Sequence, residues 1–186
     1  SNQTSADTPQ GETNELAEVE IRDYEGAKLG SIEDFRENSI AGPQTVDRGS
    51  YRLSIVGLVD QPTEYTYSEV ASDHAGYKKV VTLDCVEGWS VTILWEGVLF
   101  RDILDEVNVQ PTANTVIIRA MDGYSTSFPL QYFYEKDILF AHSINDVTLP
   151  AERGFPFQLV AEDKWGYKWI KWVDEIELSD DATYRG

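Results

Sequence analysis

The sequence predicts an α+β fold: a core of mixed or antiparallel β-sheet with few short helices. Three observations lead there. Short runs rich in β-branched and aromatic residues recur, among them Lys79-Val80-Val81-Thr82-Leu83, Val91-Thr92-Ile93-Leu94-Trp95 and Thr115-Val116-Ile117-Ile118-Arg119-Ala120. Turn signals such as Gln61-Pro62, Asp122-Gly123 and Asn145-Asp146 separate such runs. Only one stretch, Phe100, Ile103, Leu104 and Val107, carries the i, i+3, i+4, i+7 stripe of an amphipathic helix.

In chain order, residues 1–20 read as a disordered leader, because their start is polar and poor in apolar side chains. Leu16 to Ile21 is at most a short strand or a frayed lead-in. Residues 21–186 form one domain with its core in 51–178, and residues 21–49 are an arm packed on it. Within the arm, Ser31 to Arg36 reads as one helical turn with Ser31 as N-cap and Asp34 three residues on. Ala41-Gly42-Pro43 closes that region. Tyr51 to Val59 alternates as a half-buried strand does, and Tyr67 to Ala71 fits a helical turn. Lys79 to Cys85 and Val91 to Trp95 read as the two strands flanking the cysteine. After the striped helix, Pro111 stops further helix. Thr115–Ala120 and Tyr124–Phe128 form a hairpin about Asp122-Gly123. Gln131 to Lys136 suits a short helix and Ile138 to Ala141 a buried strand. Phe157–Ala161 and Trp169–Leu178 close the sheet. No internal repeat is present.

Composition bounds the function. A chain of 186 residues suits one domain and buries roughly 70% of its unfolded surface. The net charge of -18, from 33 acidic and 15 basic residues, repels nucleic acid and anionic membranes and favours solubility. The single cysteine excludes an internal disulfide, a Cys-rich zinc site and a protein-held iron–sulfur cluster. No Cys-x-x-Cys-His haem word occurs, and no apolar run nears the ~20 residues that span a membrane. The polar start is compatible with the tether of an exported, lipid-anchored protein or with a simple frayed terminus.

The cysteine stands in Asp84-Cys85-Val86-Glu87-Gly88-Trp89-Ser90, between two strands. A free cysteine is often a small buried hydrophobe, and a thiolate is a soft metal ligand. Both readings are open from the residue alone. Around it, Cys85-Val86-Glu87-Gly88-Trp89-Ser90 and Trp95-Glu96-Gly97-Val98 are joined in order by Gly57-Leu58-Val59-Asp60-Gln61-Pro62, Met121-Asp122-Gly123-Tyr124, Arg153-Gly154-Phe155-Pro156-Phe157-Gln158-Leu159-Val160 and the run Trp165 to Val173. Together these words resemble the molybdopterin-binding oxidoreductase domain of the sulfite oxidase fold, as a single-domain member near the methionine sulfoxide reductase branch. The resemblance covers Tyr51 to Leu178.

The resemblance implies a molybdenum-molybdopterin cofactor with Cys85 as metal ligand. It also implies two-electron oxygen-atom transfer on a small oxyanion or sulfoxide. Arg153, Gly154, Lys168 and Lys171 are the cofactor-binding expectation, since lysine and backbone N–H groups suit a phosphate. Without the resemblance, these lysines simply pair with Glu162, Asp163, Asp174 and Glu175. Arg119 and Asp122, beside the hairpin tip, are expected to face the site; Asp122 equally suits a turn. Of Trp169 and Trp172, strand alternation allows only one in a given cleft. The chain departs from the family where it has Gln158 in place of an arginine, and where the Asn and Tyr-Glu cofactor words are not found in the arm. The partners expected are a small-molecule substrate and a separate electron-transfer protein, because no iron–sulfur, haem or Gly-x-Gly-x-x-Gly word occurs. The rival from another class is a cofactor-free binding module that keeps the fold. A thiol redox role for Cys85 needs an external resolving thiol.

Overall fold

The computed structural model describes residues 9–35, 39–85 and 87–185, with side chains from Glu12 onward. The elements, in order, are α1 (Pro9–Ala17), β1 (Asp23–Tyr24), β2 (Ala27–Lys28), β3 (Arg52–Gly57), β4 (Thr63–Thr66), α2 (Tyr67–Ala71), β5 (Gly76–Asp84), β6 (Ser90–Leu99), α3 (Phe100–Val107), β7 (Thr115–Ala120), β8 (Ser125–Pro129), α4 (Tyr132–Glu135), β9 (Leu139–Ile144), β10 (Val147–Thr148), β11 (Gln158–Leu159) and β12 (Val173–Ser179). Short 3-10 turns add Ile32–Asp34, Ala151–Arg153 and Gly166–Lys168.

Two five-stranded sheets carry the fold. One runs β10-β9-β6-β5, with β11 also on β9, and is antiparallel throughout. The other runs β4-β3-β12-β7-β8, and its β12–β3 pair is parallel. Their apolar faces contribute to one core, which includes Leu53, Ile118 and Ile176 from one sheet and Ile93, Trp95 and Phe140 from the other. The α+β expectation, mixed sheet with few short helices, is therefore met.

Local chemistry explains the elements. The α3 stripe, Phe100, Ile103, Leu104 and Val107, is fully buried. The β9–β10 hairpin turns on Asn145 and Asp146, with φ of 46° and 62°, the left-handed pair that asparagine and aspartate tolerate in a two-residue loop. Ser31 caps its 3-10 turn in a reciprocal box with Asp34, as its spacing requires. Arg36, the last residue of that expected turn, lies outside the described residues. Gly97 sits at a register shift in β6, where an added Cβ would lie 2.1 Å from the Phe140 carbonyl oxygen.

Three expectations need correction. Residues 9–20 are not a disordered leader, although Ser1 to Thr8 lie outside the described residues. Glu12 accepts the Ala151 N–H at 3.1 Å, and Leu16 and Ala17 pack on the core. Glu20 accepts from Ser31 Oγ, the Ile32 N–H and Asn145 Nδ2 at 2.5, 2.9 and 2.8 Å. These charge-assisted anchors supply what the low apolar content lacks. The run Leu16 to Ile21 is accordingly a helix end and not a strand. The closing strand starts at Val173, not Trp169. The 3-10 turn at Gly166–Lys168 and a left-handed Trp172, φ 53°, break the alternation ahead of it.

Candidate functional site at Cys85

Strands β5 and β6 end their ladder at Asp84 and Ser90, which leaves Cys85 to Trp89 as the connecting turn. The Cys85 N–H donates to the Trp89 carbonyl and the Gly88 N–H to the Cys85 carbonyl, each at 3.0 Å. Gly88 takes a φ of 95°, which a side chain would resist. Cys85 is only 6% exposed, yet it lines a cleft of about 220 Å³. Low exposure and access to a cavity are thus combined at this thiol.

Aromatic side chains make up much of the cleft lining. Trp169 and Trp172 both line it, against the expectation that only one could, because the left-handed Trp172 turns the chain between them. Phe35 meets Trp89 edge-on, with ring centroids 6.3 Å apart. Gly166 also lines the cleft and packs beside the Cys85 backbone: a Cβ there would lie 3.6 Å from the Asp84 carbonyl oxygen and 3.7 Å from Cys85 Cα, in ordinary contact.

The polar residues divide. Lys171 lines the cleft with its ammonium 4.6 Å from the Trp172 ring centroid. Gly154 does not line it but holds Lys171 in place. Its φ is 110°, a Cβ would come within 2.9 Å of Lys171 Cβ, and its carbonyl accepts the Trp172 N–H at 3.2 Å. Arg153 also lines the cleft, with its guanidinium bonded to the Ile32 and Phe35 carbonyls at 3.0 and 3.1 Å and 3.5 Å from Glu152. Gln158 is buried on the same wall and donates to the Trp169 carbonyl at 3.2 Å. Asp122 lines the cleft while its carboxylate accepts the Tyr124 N–H at 3.1 Å, so it shapes the turn and lines the cleft at once.

Two expected site residues are elsewhere. Lys168 donates to the Ser127 carbonyl at 2.7 Å and faces a second cleft, because the 3-10 turn points it across the β8 edge. Arg119 pairs with Glu175 and Glu177 at 2.9 and 2.8 Å, since the β7–β12 register brings those carboxylates to it. The surface pairing foreseen for the lysines is also redistributed. Glu162, Asp163 and Glu175 pair with Lys79, Lys136 and Arg119. His142 is half-buried against Phe157, and burial pushes its pKa down.

Two buried donors in the cleft stay unmatched: Trp89 Nε1 and Ser39 Oγ have no hydrogen-bond partner among the described residues. Buried polar atoms are normally satisfied, so a cleft that holds two such groups is suited to an acceptor-rich ligand. Trp89 and Tyr124 were legible as parts of the quoted words; Ser39, Phe35 and Ile40 carried no signal of their own. Among the described residues no three of His, Cys, Asp and Glu converge on one point. A metal at Cys85 would therefore draw its other ligands from a cofactor. The soft thiol, the Lys171 cation, the flat aromatic walls and the unmatched donors fit a phosphorylated, sulfur-bearing heterocycle.

Comparison with known proteins agrees. The oxidoreductase molybdopterin binding domain matches residues 40–185. An uncharacterized oxidoreductase, YuiH, of Bacillus subtilis is 31% identical over 74% of this chain and 69% of its own length. A putative protein-methionine-sulfoxide reductase subunit, YedZ1, of Azospira oryzae is 34% identical over 73% of this chain and 51% of its own. The protein-methionine-sulfoxide reductase catalytic subunit MsrP of Gluconobacter oxydans is 28% identical, over 74% and 49%. This chain thus spans about half the length of those two reductase relatives. The sulfane dehydrogenase SoxCD of Paracoccus pantotrophus shares the fold, with a TM-score of 0.72 and 23% identity over 76% of this chain and 41% of that one. Cleft, words and relatives converge: the chain belongs to the molybdopterin-binding oxidoreductase family and has the sulfite-oxidase-type fold.

Proposed function

We propose that this domain carries a molybdenum-molybdopterin cofactor ligated through Cys85, and that it catalyses oxygen-atom transfer to or from a small oxyanion or a sulfoxide. The observation that carries the reading is the position of the only cysteine, on a tight turn that presents it to a cleft with two unmatched donors. When bound, the cofactor supplies the two-electron redox chemistry. The chain supplies the rest. Cys85 offers the thiolate and Lys171 the charge for a phosphate. Gly154 leaves the room that the Lys171 side chain needs. Trp89 Nε1 and Ser39 Oγ donate to acceptor oxygens or sulfurs in the cleft, and the tryptophans limit water. Asp122 adds a carboxylate to the lining of the cleft.

The electron carrier in this reading is a separate protein, as the words "subunit" and "catalytic subunit" in the relatives' names suggest. No helix among the described residues is long and apolar enough to cross a membrane. An exported setting, with or without a lipid tether, completes the proposal on composition alone.

Metal analysis tests it, on protein made in a host that synthesises the cofactor. Close to one molybdenum per chain is expected, lost in Cys85→Ser while the far-UV spectrum is unchanged. Gln158, neutral where the family has an arginine, favours a second reading: a cofactor-free binding module. No molybdenum in the wild-type protein, even after incubation with cofactor, would select that reading.

A further inference from the structure

A second cleft, of about 550 Å³, shares Tyr124 and Tyr167 with the Cys85 cleft. It runs along β8, the edge strand of its sheet, and is closed by Lys168 and by Ala182 and Arg185 of the C-terminal segment. The chain has 33 acidic residues, yet none of those lining this cleft is acidic. Its two ionised side chains are both cationic.

The donors converge and keep capacity. Lys168 gives one N–H to the Ser127 carbonyl, which leaves two on its ammonium. Arg185 bonds the Thr183 and Tyr184 carbonyls at 3.3 and 3.1 Å through a single nitrogen. Neither cation has a carboxylate within 4.0 Å among the described residues. Ser125 Oγ and Tyr184 Oη lie 3.0 Å apart. Two hydroxyls share one bond, so one hydrogen of the pair is left to donate. Asn114 accepts from Thr115 through its oxygen at 2.7 Å, and its amide hydrogens are left for another acceptor. Burial, Lys164 and Arg185 all push the Lys168 pKa down, the mark of a cation set among like charges without a counter-ion.

We propose that this second cleft binds the oxyanion or carboxylate group of a small ligand, held by Lys168 and Arg185 with donors from Asn114 and the Ser125–Tyr184 pair. The site is separate from the molybdenum reading and stands or falls independently of it. It lies on the reverse of the wall that bounds the Cys85 cleft, where the Tyr124 hydroxyl donates to the Tyr167 carbonyl at 2.5 Å.

Amide chemical shifts test this on the whole chain. Sodium sulfate, sodium phosphate and sodium acetate are titrated separately at constant ionic strength, with sodium chloride as balance. Saturable shifts are expected at Ser125, Ser127, Lys168 and Arg185. Each of Lys168→Gln and Arg185→Gln should weaken binding about tenfold, the effect of one lost charge-assisted bond. Lys28→Gln, at an exposed pair with Asp23, should change nothing. Arg185 is exposed, so its variant keeps the test valid if Lys168→Gln loosens the β8 edge. Preference for sulfate or phosphate assigns an oxyanion, and preference for acetate assigns a carboxylate. Shifts that never saturate, affinity unchanged from wild type in both variants, or shifts gathered around Lys171 and Cys85 would overturn the proposal.

Discussion

Cys85 donates its backbone N–H to the Trp89 carbonyl at 3.0 Å, so the thiol and the unmatched indole N–H of Trp89 belong to one turn. Both residues line the same cleft. An unsatisfied buried donor costs about 1–3 kcal/mol. Trp89→Phe removes that donor and keeps a ring against Phe35. The cofactor-free variant should therefore unfold at the same temperature as wild type or a few degrees higher, while molybdenum retention falls. Differential scanning calorimetry with metal analysis checks both. A clear drop in melting temperature of the cofactor-free form would mean that ring volume, and not the donor, is what matters here.

Lys168 and Lys171 are three residues apart and face different clefts. Charge reversal should separate them. If Lys171 holds the cofactor phosphate as proposed, Lys171→Glu sets a carboxylate against it and should cost at least about tenfold in cofactor retention, the size of one lost charge-assisted contact. Lys168→Glu should retain cofactor. Phosphate and pterin released on denaturation measure this directly. Equal losses would indicate a general charge effect of this acidic chain.

Docking of an electron carrier is open to the same treatment. A chain of net charge -18 steers a basic partner over long range. The Debye length falls from about 10 Å at 0.1 M salt to about 3 Å at 1 M. Partner-dependent turnover should fall steeply over that range, and turnover with a small uncharged dye should not. A flat partner-dependent rate would remove the electrostatic part of the reading.

How much could be read from the sequence depended on where the determining contacts lie. The α3 stripe and the Asn145-Asp146 turn are fixed by neighbours in sequence, and both were legible. The first helix was not, since its stability comes from Glu12 reaching Ala151 and Glu20 reaching Ser31 and Asn145. Of the residues that line the Cys85 cleft, Cys85, Asp122, Arg153 and Lys171 stand in the words that the sequence singles out. Lys168 was assigned with them because spacing alone does not show a 3-10 turn followed by a left-handed tryptophan. Arg119 was drawn away by two carboxylates of β12, which are 56 and 58 residues distant in the chain.

Gly97 tests the register of the sheet that bears the cysteine. A methyl group there would collide with the Phe140 carbonyl and Ala141 Cα, at 2.1 and 2.6 Å. Backbone atoms on both sides cannot yield cheaply. Gly97→Ala should cost about 3 kcal/mol or more. Gly76, on the paired β5, has nothing within 4 Å of an added Cβ, and its alanine variant should be close to neutral. Urea unfolding of the two variants makes the comparison. Similar midpoints would contradict the close approach of β6 and β9.

His142 gives the acid side of the stability profile a specific contributor. Burial lowers its pKa; Glu96 opposes that shift and Arg48 adds to it, while Ser143 Oγ lies 2.8 Å from Nδ1. A histidine whose folded pKa is depressed binds protons more readily in the unfolded chain. Its contribution is therefore complete above the unfolded value of about 6.5 and is lost as pH falls from there toward the folded pKa. Wild-type stability should decline over that window, and His142→Gln, which cannot titrate, should decline less. The difference between the two slopes isolates the imidazole, because every other titrating group is common to both proteins. Urea midpoints at about pH 7, 6 and 5 provide the slopes. Parallel slopes would show that the imidazole is hydrated in solution and carries none of the acid sensitivity.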